Sequence, residues 1–120
     1  MYTYFKFIFP DEDERFIYIL AEVNAPYVIV REGEESNILR CYIDKGREDD
    51  LLSAALFYSR VTKTTFTVVD DDHNYFVIFD CGEYDSSSYK LEDGVKVSLN
   101  IQEKLELVAE IIYSNKFEGD

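Results

Sequence analysis

The four residues Asp70-Asp71-Asp72-His73 are the densest set of potential ligands and proton carriers in the chain, and clustered carboxylates suit hard cations. The run lacks the alternating acids, the central glycine and the twelfth-position glutamate of a calcium loop, and Asn74 and Tyr75 lead straight into an apolar run. It is read instead as a solvated hairpin tip, because Asp and Asn are good turn formers. His73 is the only histidine, so a Ser-His-Asp triad or a multi-His zinc centre would have to be assembled around one loop position. Cys41 and Cys81 are the only cysteines and lack CxxC spacing, which predicts two free thiols and neither a zinc site nor a disulfide. With no GxSxG, P-loop or GxGxxG, the enzyme reading that remains is a pair of carboxylates, and such a pair needs a deep cleft that raises one pKa. The expectation is a chain with no catalytic residue, no cofactor and no metal.

The other notable residues are acids. Asp11, Glu12, Asp13 and Glu14 follow Pro10, Glu32, Glu34 and Glu35 surround Gly33, and Glu83 and Asp85 flank Tyr84 ahead of Ser86, Ser87 and Ser88. The chain carries 25 acidic against 12 basic residues, a net charge of −13, and the excess is shared evenly between its two halves. Phosphate neutralisation needs clustered Lys and Arg, so direct nucleic-acid binding is disfavoured, and anionic lipid would repel such a surface. Charge of this size disfavours compactness by self-repulsion, which suggests a use for the field: fast capture of a basic partner.

The elements that must position these residues follow from periodicity. Phe5, Phe7 and Phe9 alternate with Tyr4, Lys6 and Ile8, which predicts a first strand. Pro10 and the acids break it, and Phe16 to Val23 is read as a second strand forming a hairpin with the first. Tyr27 to Arg31 and Asn37 to Asp44 complete a four-strand meander, with Leu39, Cys41 and Ile43 on the core face by parity. Acids at 48 to 50 and Arg60 frame a helix whose buried stripe is Leu52, Ala55 and Leu56. Thr64 to Val69 and Tyr75 to Cys81 form a hairpin, Gly82 to Gly94 is a long loop or irregular edge, and Val95 to Leu99 a short strand. Asn100 and Glu103 resemble a helix start, and Ile101, Leu105, Val108 and Ile112 recur as one face of a C-terminal amphipathic helix. Phe66, Val68, Ile78, Leu105, Val108 and Ile112 are expected in the core. Alternate turns of a meander lie at one end of its sheet, so Asp11 to Glu14 and Glu32, Glu34 and Glu35 should share a rim, with Glu83, Tyr84 and Asp85 beside them and Asp70 to Asp72 at the far end.

The whole is expected to be a single acidic α+β domain spanning residues 1–120, since 47% apolar and 16% aromatic residues exceed what a disordered acidic segment carries. The first ten residues lack the charged n-region and cleavage site of a signal peptide, and no run reaches the roughly 18 apolar residues of a membrane span. A cytoplasmic protein follows as the expectation. Small, acidic, tyrosine-rich and without catalytic signatures, the chain resembles in gross character the immunity proteins that neutralise nuclease toxins, or viral proteins that imitate nucleic acid. That compositional resemblance implies an inhibitor of a basic protein, such as a nuclease or another nucleic-acid-binding protein. Carboxylates at i and i+2 of a strand stand roughly 6.7 Å apart, on the scale of successive backbone phosphates. The expected binding residues are those of the rim, with Tyr84 as aromatic anchor. Two alternatives stand beside it: a small carboxylate-dependent enzyme, and a non-catalytic subunit of a homo- or hetero-oligomer. The subunit would bury an aromatic sheet face built from Tyr2, Tyr4, Ile8, Phe16, Tyr18 and Leu20.

Overall fold

Period-two alternation in the first ten residues produces a strand with one face of three phenylalanines, and that strand organises the molecule. The computed structural model describes residues 2–10, 16, 20, 27–32 and 36–102. In chain order the elements are β1 (Tyr2–Phe9), β2 (Tyr27–Glu32), β3 (Ser36–Asp44), helix α1 (Glu48–Thr62), β4 (Thr65–Asp70), β5 (Tyr75–Asp80), β6 (Glu83–Tyr84), β7 (Tyr89–Glu92) and β8 (Val95–Val97). The strands form one antiparallel sheet in the order β2-β3-β1-β4-β5-β7-β8, with β6 paired to β5 off that path. This is an α+β architecture.

The four-strand meander is not what forms. β1 lies between β3, with Phe5 opposite Cys41, and β4, with Phe7 opposite Val68; of the expected second strand, Phe16 to Val23, only Phe16 and Leu20 are among the described residues. Phe16 and Leu20 are helical and fully buried. Their i, i+4 spacing puts both on one side of a helical turn, and an apolar run as dense as Phe16-Ile17-Tyr18-Ile19-Leu20 satisfies strand and helix patterns alike. The C-terminal helix read from Ile101, Leu105, Val108 and Ile112 lies outside the described residues apart from Ile101, which is buried.

Parity separates the two faces of the sheet. Phe5, Phe7, Phe9, Leu39, Cys41, Ile43, Phe66, Val68, Val77 and Phe79 face inward and are buried together against Leu51, Leu52, Ala55, Leu56 and Tyr58 of α1. Burying each large side chain contributes roughly 1.5–3 kcal/mol. Aromatic rings interlock at the centre: Phe9 and Phe66 centroids are 4.8 Å apart, Phe7 and Phe16 4.8 Å, and Phe16 and Tyr58 5.1 Å. Helix α1 opens on Glu48, Asp49 and Asp50 and closes with Arg60 in its last turn, each sign favourable to the helix dipole there. It ends where Lys63 adopts the left-handed conformation, φ 54°.

The outer face carries Tyr2, Tyr4, Lys6 and Ile8 of β1 opposite Asp44, Tyr42, Arg40 and Ile38 of β3. It continues through Thr67 and Val69 to Ile78 and Phe76. Ile78 therefore faces outward and is half-buried; β5 is apolar on both faces, and the sheet's parity, set by Val77 and Phe79, excludes its neighbour from the core. Residues 82 to 94 are more ordered than a loop, for Glu83 and Tyr84 pair with Asp80 and Phe79 and Tyr89 pairs with Phe76.

Candidate functional site

Strand registers decide which acidic segments approach one another. β1 ends on Phe9 opposite Asn37 of β3, and Glu32 of β2 pairs with Ser36 across the β2–β3 turn. Ile8 lies opposite Thr67, so β4 begins at the same end of the sheet, and Thr65 opposite Asp80 brings the end of β5 there too. Asp80 pairs with Glu83. The described residues at this end are thus Phe9, Pro10, Glu32, Ser36, Asp80, Glu83, Tyr84 and Asp85. Asp11, Glu12, Asp13, Glu14, Glu34 and Glu35, the rest of the expected rim, lie outside the described residues.

The β5–β6 turn is held firmly. Ser59 of α1 donates its hydroxyl to the Leu56 carbonyl at 2.8 Å and accepts the Gly82 N–H at 2.9 Å, while Arg60 donates to the Gly82 carbonyl at 3.2 Å. The Cys81 N–H donates to the Thr64 carbonyl at 3.1 Å. Gly82 has φ +93°, and a Cβ there would sit 2.6 Å from the Arg60 Cβ, so only glycine fits. These bonds fix where Glu83 and Tyr84 emerge from the sheet.

Tyr84 is 36% exposed, and its hydroxyl donates to the Leu99 carbonyl at 3.2 Å. Asp85 accepts the Ser87 hydroxyl and, at 3.0 Å, the Ser87 N–H; these bonds hold its carboxyl below the usual range, the hydroxyl contributing most. Glu83 and Asp85 are exposed. Beyond this turn, Ser86, Ser87, Ser88, Tyr89, Lys96 and Ser98 line an open groove of about 440 Å³, with the Lys96 ammonium 4.5 Å from the Tyr89 ring centroid. The run of serines was visible in the sequence, but its juxtaposition with Lys96 depends on the β7–β8 pairing.

The opposite end of the sheet holds Asp70 to His73. Asp71, Asp72 and His73 are exposed as the hairpin tip requires, with His73 at φ 58°, but Asp70 is only 3% exposed. Its carboxylate accepts the Tyr75 N–H at 2.8 Å, closing the turn from within. Among the described residues no group of three His, Cys, Asp or Glu side chains is arranged to hold a metal. A small polar cavity of about 160 Å³ lies at this end, lined by Asp49, Leu52, Tyr75, Lys90 and Ile101. Burial raises the Tyr75 hydroxyl above its ordinary value. Burial acts to lower Lys90, but Tyr75 and Glu92, the latter at 3.3 Å, outweigh it and hold the ammonium above its ordinary value.

Among the described residues, the most exposed aromatic side chains lie on the outer face near this same end, where the Asp71 N–H donates to the Tyr4 carbonyl at 3.1 Å. Tyr2 and Tyr4 are 51% and 50% exposed, and both rings meet Tyr42, with centroids 5.2 Å and 5.4 Å apart. Alternation had placed Tyr2 and Tyr4 on this outer face together with Phe16 and Leu20. The latter two belong to the core on the other side, and Tyr18 lies outside the described residues. Tyr42 takes their place, brought there by β3 pairing with β1. No protein-family model, curated protein or solved structure matches the chain. No helix among the described residues is long and apolar enough to cross a membrane.

Proposed function

We propose that the protein is a small acidic binding protein that inhibits or neutralises a basic macromolecular partner. The observation that carries the reading is the register-set convergence of strand ends. Phe9 and Pro10, which precede Asp11 to Glu14, and Glu32 and Ser36, which bracket Glu34 and Glu35, lie at the same end of the sheet as Glu83, Tyr84 and Asp85. From the β2–β3 turn to β6 this edge crosses four or five strand spacings, about 20–25 Å, a width suited to a protein surface and too broad for a small ligand. Held low by Ser87, the Asp85 carboxyl stays charged in mildly acid solution. The partner is a basic protein, with a nuclease or another nucleic-acid-binding protein as the class whose anion site such carboxylates would occupy. The cytoplasm is the compartment this reading assigns.

Binding kinetics with the partner that co-purifies with the untagged chain test it. Reversing Glu83 and Asp85 to Lys should slow association and flatten its salt dependence, because rim charges act on encounter. Tyr84→Ala should instead speed dissociation by roughly 2 kcal/mol. Asp71 and Asp72, exposed at the far end, serve as the control; Asp70 is unsuitable because its carboxylate is built into the turn. Loss of binding on reversing Asp71 and Asp72, with the rim variants unaffected, would assign the site to the other end. Indifference to both sets would leave the charge as a solubility device.

A further inference from the structure

The cavity of about 160 Å³ at the Asp70 end of the sheet is walled by the first turns of α1, the start of β5, β7 and the segment that follows β8. Burial sorts its lining into a floor and a mouth. Leu52 and Ile101 are buried in the core cluster and Leu99 packs against that cluster, so the floor is apolar. Asp49, Glu92, Ser98 and Asn100 are exposed and therefore stand at the mouth. Between the two lie Tyr75, only 8% exposed, and the half-buried Lys90. These polar groups do not fully satisfy one another. The Lys90 ammonium has three N–H donors, of which Glu92 at 3.3 Å and the Tyr75 hydroxyl oxygen take two, so one remains. Having accepted from Lys90, the Tyr75 hydroxyl still has its own proton to give, and no acceptor for it lies among the described residues. Such an unused donor on a buried side chain is costly. Asp49, in turn, has no basic partner among the described residues.

We infer that this cavity binds a small free α-amino acid of the alanine or serine class, its side chain on the Leu52–Ile101 floor, its carboxylate on Lys90 and the Tyr75 hydroxyl, and its ammonium on Asp49. Charge selects the zwitterion. A simple anion would gain the two donors but meet Asp49, Glu92 and the field of a chain of net charge −13, while a simple cation would gain Asp49 but meet the Lys90 ammonium. An amino acid is neutral overall and satisfies both signs. Volume sets its size: a cavity of roughly 150 Å³ holds a six-carbon ring, so this one admits about six or seven non-hydrogen atoms. Water satisfies the mouth equally well but finds no hydrogen bond on the floor, where a methyl group instead buries apolar surface. The site lies at the opposite end of the sheet from Glu83 and Asp85, so it stands independently of basic-partner capture.

Amide chemical shifts of the isotope-labelled full chain, titrated separately with L-alanine, L-serine, acetate, ethylammonium and L-phenylalanine, are the test, with circular dichroism confirming that each variant folds. L-alanine and L-serine should give saturable shifts at the amides of Leu52, Tyr75, Lys90 and Ile101. Acetate and ethylammonium, each carrying half of the head group, should bind at least roughly tenfold more weakly, and L-phenylalanine should not enter. Tyr75→Phe keeps the ring and removes the donor, so it should weaken L-alanine and acetate alike, by roughly tenfold. Asp49→Asn should weaken L-alanine by a similar factor without weakening acetate, a split that a merely structural role for Asp49 would not produce. No saturable shift with L-alanine or L-serine up to tens of millimolar overturns the inference and leaves the cavity to water. Acetate binding as tightly as L-alanine overturns it in favour of a plain anion site, and shifts scattered over the surface overturn it as weak non-specific association.

Discussion

Parity placed Cys41 in the core from sequence alone, and its environment turns that position into a chemical difference between the two cysteines. Burial pushes the Cys41 thiol from its ordinary 9.0 up to about 12, whereas Cys81 is exposed in the β5–β6 turn. A disulfide reagent at mildly alkaline pH should therefore label one thiol in the native protein and two once it is unfolded; two rapid native equivalents would mean that β3 does not pack as described. Linkage follows from the same shift. Between pH 9 and about 12 the unfolded thiol ionises and the folded one does not, so the unfolded chain binds fewer protons and stability falls as pH rises through that window. Gly82 shows the limit of the sequence at this scale. Nothing in Cys-Gly-Glu announces that Arg60, 22 residues earlier, will press against its Cα. Gly82→Ala meets both a positive φ and that contact, and chemical denaturation should show a loss of roughly 1–3 kcal/mol.

Alternation identified most strands but could not say which strands would be neighbours. Thr65–Asp70 and Tyr75–Asp80 are joined by a short turn and pair as their spacing predicts. β1 pairs with no strand adjacent to it in sequence, and its place at the sheet's centre comes from the combined hydrophobic demand of Phe5, Phe7 and Phe9, which no local pattern encodes. The helical Phe16 and Leu20 were misread because an unbroken apolar run carries both periods at once. The rim is legible only in part for the same reason: its acids stand out in the sequence, while the shared end of the strands that flank them follows from pairings between distant segments. The inner and outer faces of the sheet also differ in cost. Phe66 contacts the rings of Phe7, Phe9, Phe16, Tyr58 and Phe79, so Phe66→Ala should cost about 3–5 kcal/mol. Ile78→Ala, on the half-buried outer face, should cost about 1 kcal/mol or less in the monomer. Equal losses in urea titrations would contradict the assignment of faces.

For the molecule as a whole, the question is whether its charge is offset by ion pairs or borne as repulsion. Ion pairs among the described residues include Arg40–Asp71 at 3.8 Å, Arg47–Asp50 at 3.3 Å and Lys90–Glu92 at 3.3 Å. The last two join residues close in sequence, and all three are at least partly exposed, so each contributes about 0–1 kcal/mol and less in salt. Against them stand 25 acids opposed by 12 bases on a chain with a radius of gyration of 13.7 Å, where many carboxylates lie within a Debye length of about 10 Å at 0.1 M salt. Repulsion is the larger effect, and it is weaker in the expanded unfolded chain. Raising salt from low to physiological strength should therefore raise the melting temperature, most steeply at the lowest concentrations, where the screening length changes fastest. Because self-association would add a concentration-dependent shift, the melt belongs at high dilution, where only the charge of the single chain responds. A melting temperature that fell steadily with salt would mean that attractive pairs dominate, and the acidic surface would then be part of what holds the fold together, not a burden kept for binding.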